Sequence, residues 1–108
     1  MAAYRAAGRV MDRRRLEATV RGYVQGVGFR VWAARVASRL GLTGSVRNEF
    51  DGTVRVVAEG PTDDLEQLLA QLRSGPSGAV VSDVDVRWAP PTGAFDRFRI
   101  TAGHHPGD

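Results

Sequence analysis

The residues best suited to chemistry form a glycine loop that ends at an arginine. Residues 24–30 read Val-Gln-Gly-Val-Gly-Phe-Arg, and Gly26 and Gly28 allow the backbone to bend and to approach a ligand closely. A helical pattern begins here, so unpaired N–H groups and the positive end of a helix dipole favour an anion. Arg30 adds a permanent charge whose planar donors suit phosphate or carboxylate. The segment therefore predicts an anion-binding site.

A second candidate residue is Asn48, which lies eighteen residues after Arg30 and just before an Asp51-Gly52 turn. Taken alone, Asn48 is typical of a residue that begins a turn. If the strands on either side of this turn pair, however, Asn48 lies near the mouth of the glycine loop. The spacing thus predicts one site built from two separate segments.

The composition limits which chemistry is available. The 108 residues form one domain, and they include no cysteine and no lysine. Disulfides, thiolate metal sites, lysine Schiff bases and the phosphate-binding lysine of a Walker loop are therefore excluded. No apolar run approaches the length of a membrane span, and we expect a cytoplasmic protein.

The net charge of +3 is concentrated at the N-terminus. Residues 1–14 contain four arginines and one aspartate, so the rest of the chain is neutral. We expect residues 1–14 to be a basic, disordered leader and residues 102–108 to be a flexible tail, with one domain over residues 15–101. A basic face for nucleic acid is not supported by this distribution.

The hydrophobic pattern predicts strand, helix, strand, strand, helix, strand, and a short strand near Phe98 and Ile100. Gly41 is expected to end the first helix, and either Thr62 or Asp63 is expected to cap the second. The apolar positions expected to face the core are Leu16, Ala18 and Val20; Phe29, Ala33, Val36, Ala37 and Leu40; Val54, Val56 and Ala58; Leu65, Leu68, Leu69 and Leu72; and Val80, Val84, Val86 and Trp88.

This order of elements is the split βαβ pattern of ferredoxin-like folds. Right-handed crossovers place both helices on one face of the sheet. The predicted fold is therefore α+β: a ferredoxin-like βαββαβ two-layer sandwich with an antiparallel sheet, two helices on one face and a short extra C-terminal strand.

Two segments together resemble the signatures of acylphosphatases. The resemblance covers about residues 16–100, with both segments in the order and at the spacing expected for that family. The first segment is Val20-x-Gly22-x-Val24-Gln25-Gly26-Val27-x-Phe29-Arg30, and the second is Gly44-x-Val46-Arg47-Asn48 followed by Gly52-x-Val54 and Gly60.

The resemblance implies hydrolysis of acyl phosphates to a carboxylate and inorganic phosphate, with no cofactor and no metal. It assigns phosphate binding to Arg30 and the orientation of the attacking water to Asn48. A carboxamide suits that role, because it accepts a hydrogen bond from water but takes no proton at neutral pH. The phosphate cradle implied by the resemblance is the backbone of Gln25, Gly26, Val27, Gly28 and Phe29.

One position departs from the family pattern: Ser45 stands where the second signature usually has an aromatic residue. Strand parity directs Ser45 away from Val46, so the change affects local packing and substrate fit and removes no catalytic group.

Three other functions remain open from the sequence. An RNA-binding module shares the order of elements, but it needs aromatic residues on the central strands, and Val54 to Ala58 contains none. A non-enzymatic anion sensor and a detached relative of the acylphosphatase-like domain of larger carbamoyl-transfer maturation proteins are the others. For the enzyme we expect a monomer whose only partner is a small acyl phosphate, without nucleic acid or membrane.

Overall fold

The computed structural model describes residues 12–102, which form a five-stranded sheet and two helices in the predicted order. No helix in this range has the length and apolar character needed to cross a membrane. The elements are β1 (Arg13–Tyr23), α1 (Phe29–Arg39), β2 (Thr43–Asn48), β3 (Val54–Pro61), α2 (Thr62–Ser74), β4 (Val80–Ala89) and β5 (Phe98–Ile100).

The first strand begins inside the segment predicted as a leader. Arg13 and Arg14 lie opposite Pro61 and Gly60 of β3, so the folded domain includes them and does not begin at residue 15. The remaining leader residues, 1–11, and the predicted tail from residue 103 onward lie outside the described residues.

The strand order in the sheet is β4-β1-β3-β2-β5. The first four strands pair antiparallel as predicted, but β5 pairs parallel to β2, with Phe98 opposite Gly44 and Ile100 opposite Val46. The predicted extra C-terminal strand therefore adds a parallel pair at this edge, and the five-stranded sheet is mixed. The reason is the connection after β4: it passes to the opposite edge of the sheet, so β5 starts at the end where β4 finishes.

Both helices pack on one face of the sheet, as predicted. Alternate residues of the two central strands β1 and β3 have no exposed surface and meet the apolar stripes of the helices, giving one two-layer core. The fully or nearly fully buried core residues are Leu16, Ala18, Val20, Val24, Phe29, Ala33, Val36, Ala37, Leu42, Val46, Val54, Val56, Ala58, Leu65, Leu68 and Leu72.

The end of α1 confirms the role predicted for Gly41. Its φ of 73° lies in the left-handed region that favours glycine. The Gly41 N–H donates to the carbonyl of Ser38, and the Leu42 N–H donates to the carbonyl of Ala37, both at 3.0 Å. These two bonds form a Schellman motif, which ends the helix and turns the chain towards β2.

The start of α2 differs from the prediction. The N-cap residue is Pro61, and within residues 12–102 no side-chain capping hydrogen bond is formed, so neither Thr62 nor Asp63 is the cap that the sequence predicted. Thr62 is already helical, and its hydroxyl donates to the carbonyl of Asp12 at 2.9 Å. Asp63 and Asp64 in the first turn nevertheless place negative charge near the positive end of the helix dipole.

A β-bulge shifts the inward face of β4. Arg21 of β1 lies opposite Asp83, whereas the next residue, Gly22, lies opposite Val81, so Ser82 is inserted into the ladder. As a result Val81 packs against the core and Val80 is 65% exposed, contrary to the alternation predicted from the sequence.

The topology brings the two predicted site segments together. β1 and β2 both run antiparallel to β3, which lies between them, so their carboxyl ends lie at the same end of the sheet. The glycine loop follows β1 at that end, and Asn48 is the last residue of β2.

Candidate functional site

The loop between β1 and α1 is shaped by two glycines. Gly26 and Gly28 have φ values of 76° and 77°, which an L side chain adopts only with strain. A Cβ atom added to either glycine would meet nothing within 4 Å, so the backbone conformation, and not crowding, requires glycine at both positions. This open space gives a ligand room to approach the loop backbone.

Gly28 is also the N-cap residue of α1, and no side chain among residues 12–102 donates or accepts a capping hydrogen bond there. The first helical hydrogen bond runs from the Trp32 N–H to the Gly28 carbonyl at 3.1 Å. The backbone N–H groups before Trp32 have no carbonyl partner within the helix, and the first turn contains no acidic residue. The helix start thus offers donors and positive potential to an anion.

Phe29 anchors the start of the helix in the core. Its side chain is 1% exposed, and its ring meets that of Trp32 edge to face, with centroids 5.2 Å apart and planes at 64°. Burial and this ring contact anchor the first turn of α1, from which Arg30 extends.

Arg30 and Asn48 line one cavity of about 250 Å³. Arg30 is half-buried, and Asn48 is 6% exposed. The Oδ1 atom of Asn48 is buried and accepts no hydrogen bond from residues 12–102. The other residues lining the cavity are Val24, Gly26, Gly28, Phe29, Val31 and Ile100.

Most of the predicted site residues therefore meet in space. Gly26, Gly28, Phe29, Arg30 and Asn48 all line the cavity. Gln25 and Val27 are not among the lining residues, and Val27 packs against the core.

The side chain of Gln25 makes contacts between the two site segments that sequence reasoning missed. Its Nε2 atom donates to the carbonyl oxygens of Glu49 and Thr53, each at 2.9 Å. These two bonds join the glycine loop to the turn that follows Asn48. No periodic pattern in the sequence indicates this contact, because it depends on how close the fold brings two separate loops.

The turn itself is held by further hydrogen bonds. Asp51 accepts from the Thr53 N–H at 3.0 Å and from the Thr53 hydroxyl at 2.7 Å, and the hydroxyl bond is the main reason that the pKa of Asp51 is lowered. The Glu49 N–H donates to the Thr53 carbonyl at 2.9 Å, and the Gly52 N–H donates to the Glu49 carbonyl at 3.2 Å. Asn48 is therefore followed by an ordered turn.

Ile100, like Val31, lines the cavity although the sequence did not indicate it as a site residue. It reaches the cavity because β5 pairs parallel to β2, which places Ile100 opposite Val46, two residues before Asn48. Its side chain is 44% exposed and adds an apolar wall.

Ser45 lies on the opposite face of the sheet and does not line the cavity. Its neighbour across the strand pair is Val57, which is 8% exposed. Val57 is therefore still covered although serine is smaller than the aromatic residue usual at this position.

A buried carboxylate, Glu59, braces the face of the sheet opposite the helices. Burial alone would raise its pKa, but hydrogen bonds from the Thr92 hydroxyl, the Gly93 N–H, Arg15 and the Thr92 N–H outweigh this and lower the pKa to about 2. Glu59 thus joins β1, β3 and the segment after β4, at a distance from the cavity.

Fold and site together define an α+β domain with an anion cavity at the start of its first helix. The sequence profile of the Acylphosphatase family matches residues 16–100. The chain is 52% identical to an acylphosphatase of Salinibacter ruber over 87 residues, which covers 81% of this chain and 92% of that protein. The chain belongs to the acylphosphatase family and is an enzyme of that family.

Solved structures agree with this assignment. The crystal structure of acylphosphatase from Bacillus subtilis superposes with a TM-score of 0.79 at 33% identity, over 82% of this chain and 98% of that one. Full-length HypF superposes with a TM-score of 0.77 at 26% identity, over 84% of this chain but only 12% of that chain.

Proposed function

We propose that this enzyme hydrolyses acyl phosphates, the mixed anhydrides of a carboxylic acid and phosphoric acid, to a carboxylate and inorganic phosphate. The observation that carries the proposal is the placement of Arg30 and Asn48 on one cavity at the start of α1. Neither a metal ion nor another cofactor takes part in the proposed reaction.

Phosphate binding is proposed for Arg30 and for the backbone N–H groups of the loop from Gln25 to Phe29. Charge in phosphoryl transfer is spread over the nonbridging oxygens, so catalysis depends on positioned positive groups more than on covalent help. The guanidinium offers two parallel donors, and the helix start offers further donors that need little reorganisation.

Asn48 is proposed to orient the attacking water. The water oxygen attacks phosphorus, the bond from phosphorus to the acyl oxygen breaks, and the carboxylate leaves with the bonding electrons. Because a carboxylate is a good leaving group, the step needs no general acid. Among the described residues that line the cavity there is no carboxylate and no imidazole, so we assign the proton of the water to the substrate phosphate.

The proposal includes a small-molecule partner and excludes nucleic acid for the folded domain. Arginines on the face of the sheet opposite the helices are engaged with acidic side chains: Arg47 with Glu49 at 2.6 Å, and Arg15 with Glu59 at 2.9 Å. Such pairing leaves less positive charge for a phosphate backbone. We further propose that the enzyme is a monomer in the cytoplasm.

The test is release of phosphate from benzoyl phosphate by protein treated with EDTA. We expect the wild type to turn over and Arg30→Ala to lose roughly a hundredfold to a thousandfold in kcat/KM. Arg30→Lys should recover little, because a point charge does not reproduce the planar donors. Arg73→Ala, which removes an exposed arginine of α2, is the matched control and should match the wild type. Full activity in Arg30→Ala would refute the assignment, and a folded but inactive wild type would favour an anion-binding module.

A further inference from the structure

A second concave surface continues from the cavity along the outer side of α1. Its volume is about 380 Å³, and we refer to it as the α1 groove. Val31 and Ile100 line both the cavity and the α1 groove, so the two spaces adjoin. Among residues 12–102, the residues that line the α1 groove are Val31, Ala34, Arg35, Ser38, Arg39 and Ile100.

We propose that the α1 groove binds the acyl chain of the substrate, so that the enzyme favours acyl phosphates with an apolar chain of medium length over acetyl phosphate. The inference rests on the proposed function, because it assumes that phosphate occupies the adjoining cavity. A phosphate at the start of α1 leaves its acyl group two directions, towards solvent or along the helix. The shared wall of Val31 and Ile100 favours the direction along the helix.

The chemistry of the groove favours an apolar occupant. Val31 and Ile100 are 46% and 44% exposed, and with Ala34 they provide a continuous apolar surface beside the reacting centre. Arg35 and Arg39 contribute the apolar stems of their side chains, while their charged ends can remain in water.

The dimensions fit a chain longer than acetyl. From Val31 to Ser38 the helix rises about 10 Å, at about 1.5 Å per residue. An acetyl group would reach only the shared wall, whereas a hexanoyl chain would lie along the groove towards Ser38.

The expected preference follows from the area that the chain would bury. A fully buried methylene favours binding about fourfold, and an open groove that covers about half of the chain gives about twofold for each methylene. Hexanoyl phosphate, with four methylenes more than acetyl phosphate, should therefore have a kcat/KM about sixteenfold higher.

The experiment measures kcat/KM for acetyl and hexanoyl phosphate in the wild type and in variants of the groove. Ala34→Gln places a bulky polar group in the groove, and we expect the preference for hexanoyl to fall to about twofold or less while acetyl turnover is unchanged. Ala70→Gln makes the same change at an exposed position of α2 and should leave both substrates unaffected. Ser38→Leu extends the apolar surface and should raise the preference about twofold.

The outcomes separate this inference from the proposed function. Equal kcat/KM for both substrates in the wild type would overturn the binding of the acyl chain in the α1 groove, and so would an equal loss for both substrates in Ala34→Gln. In either case, turnover of acetyl phosphate would still support the proposed acylphosphatase activity. Faster turnover of adipoyl phosphate, which carries a terminal carboxylate, than of hexanoyl phosphate would overturn it too, because the groove would then serve an anion at Arg35 or Arg39. A wild type that hydrolyses none of these compounds would refute both proposals.

Discussion

The hydrogen bonds of Gln25 give a prediction that joins stability to catalysis. Gln25→Ala removes both donations that hold the glycine loop to the turn after Asn48. The two carbonyls keep other donors, since the Gly52 N–H reaches the Glu49 carbonyl and the Glu49 N–H reaches the Thr53 carbonyl. No buried acceptor is stranded, so the loss is limited to about 1 kcal/mol for each bond, or about 2 kcal/mol in all.

The catalytic effect should be larger than this stability loss suggests. A displacement of about 1 Å between reacting groups can cost about a hundredfold in rate. We expect Gln25→Ala to lower kcat for benzoyl phosphate by tenfold to a hundredfold, roughly, because Arg30 and Asn48 are then held less firmly relative to each other.

The assay pairs urea denaturation with steady-state kinetics on the same samples. Gln25→Glu is the informative comparison, since at neutral pH its carboxylate would face two carbonyl oxygens and can donate to neither. It should therefore be less stable than Gln25→Ala at pH 7. A Gln25→Ala protein that loses about 2 kcal/mol but keeps the wild-type kcat would refute the positioning role.

Two further predictions concern groups whose environment is fixed by the fold. Glu59 has a pKa of about 2, well below the ordinary value of 4.5 for a glutamate, so its stabilising effect is complete above about pH 4.5 and is lost as the pH falls towards 2. This effect is roughly 3 kcal/mol, so Glu59→Gln should be less stable than the wild type at pH 7 and should approach the stability of the wild type at pH 2. Denaturant titrations at both pH values measure this, and an equal difference in the free energy of unfolding at pH 7 and pH 2 would contradict the assignment. Gly28→Ala should cost about 1–2 kcal/mol, because φ at this position is 77°, and should weaken inhibition by inorganic phosphate; unchanged inhibition would show that the loop conformation does not matter for the anion.

The elements that the sequence predicted correctly depend on local signals. The end of α1 at Gly41 follows from one glycine at the required backbone angle, and the hairpin at Asp51-Gly52 follows from turn chemistry. Both are decided by neighbouring residues, so no knowledge of distant contacts was needed.

The features that the sequence did not reveal depend on contacts between distant segments. The bulge at Ser82 moves Val81 inward, because Gly22 on the neighbouring strand allows a close approach: a Cβ atom there would lie 2.0 Å from the Val80 carbonyl oxygen. The wall formed by Ile100 depends on the parallel pairing of β5 with β2. Neither feature has a periodic signal in its own segment.

The candidate site combines both kinds of information. The types and spacing of Arg30 and Asn48 indicated one site, and the topology brings them onto one cavity. The bonds of Gln25 became visible only in three dimensions, because a glutamine in a loop contacts whatever carbonyl groups the fold places beside it.

The most direct test of the central claim separates phosphate binding from turnover. Inhibition by inorganic phosphate and kcat for benzoyl phosphate would be measured for the wild type, Arg30→Ala and Asn48→Ala, with circular dichroism to confirm folding. The account predicts that Arg30→Ala loses both properties, whereas Asn48→Ala loses roughly a hundredfold or more in kcat and keeps its affinity for phosphate. An Asn48→Ala protein with wild-type kcat, or an Arg30→Ala protein with undiminished phosphate inhibition, would contradict the account.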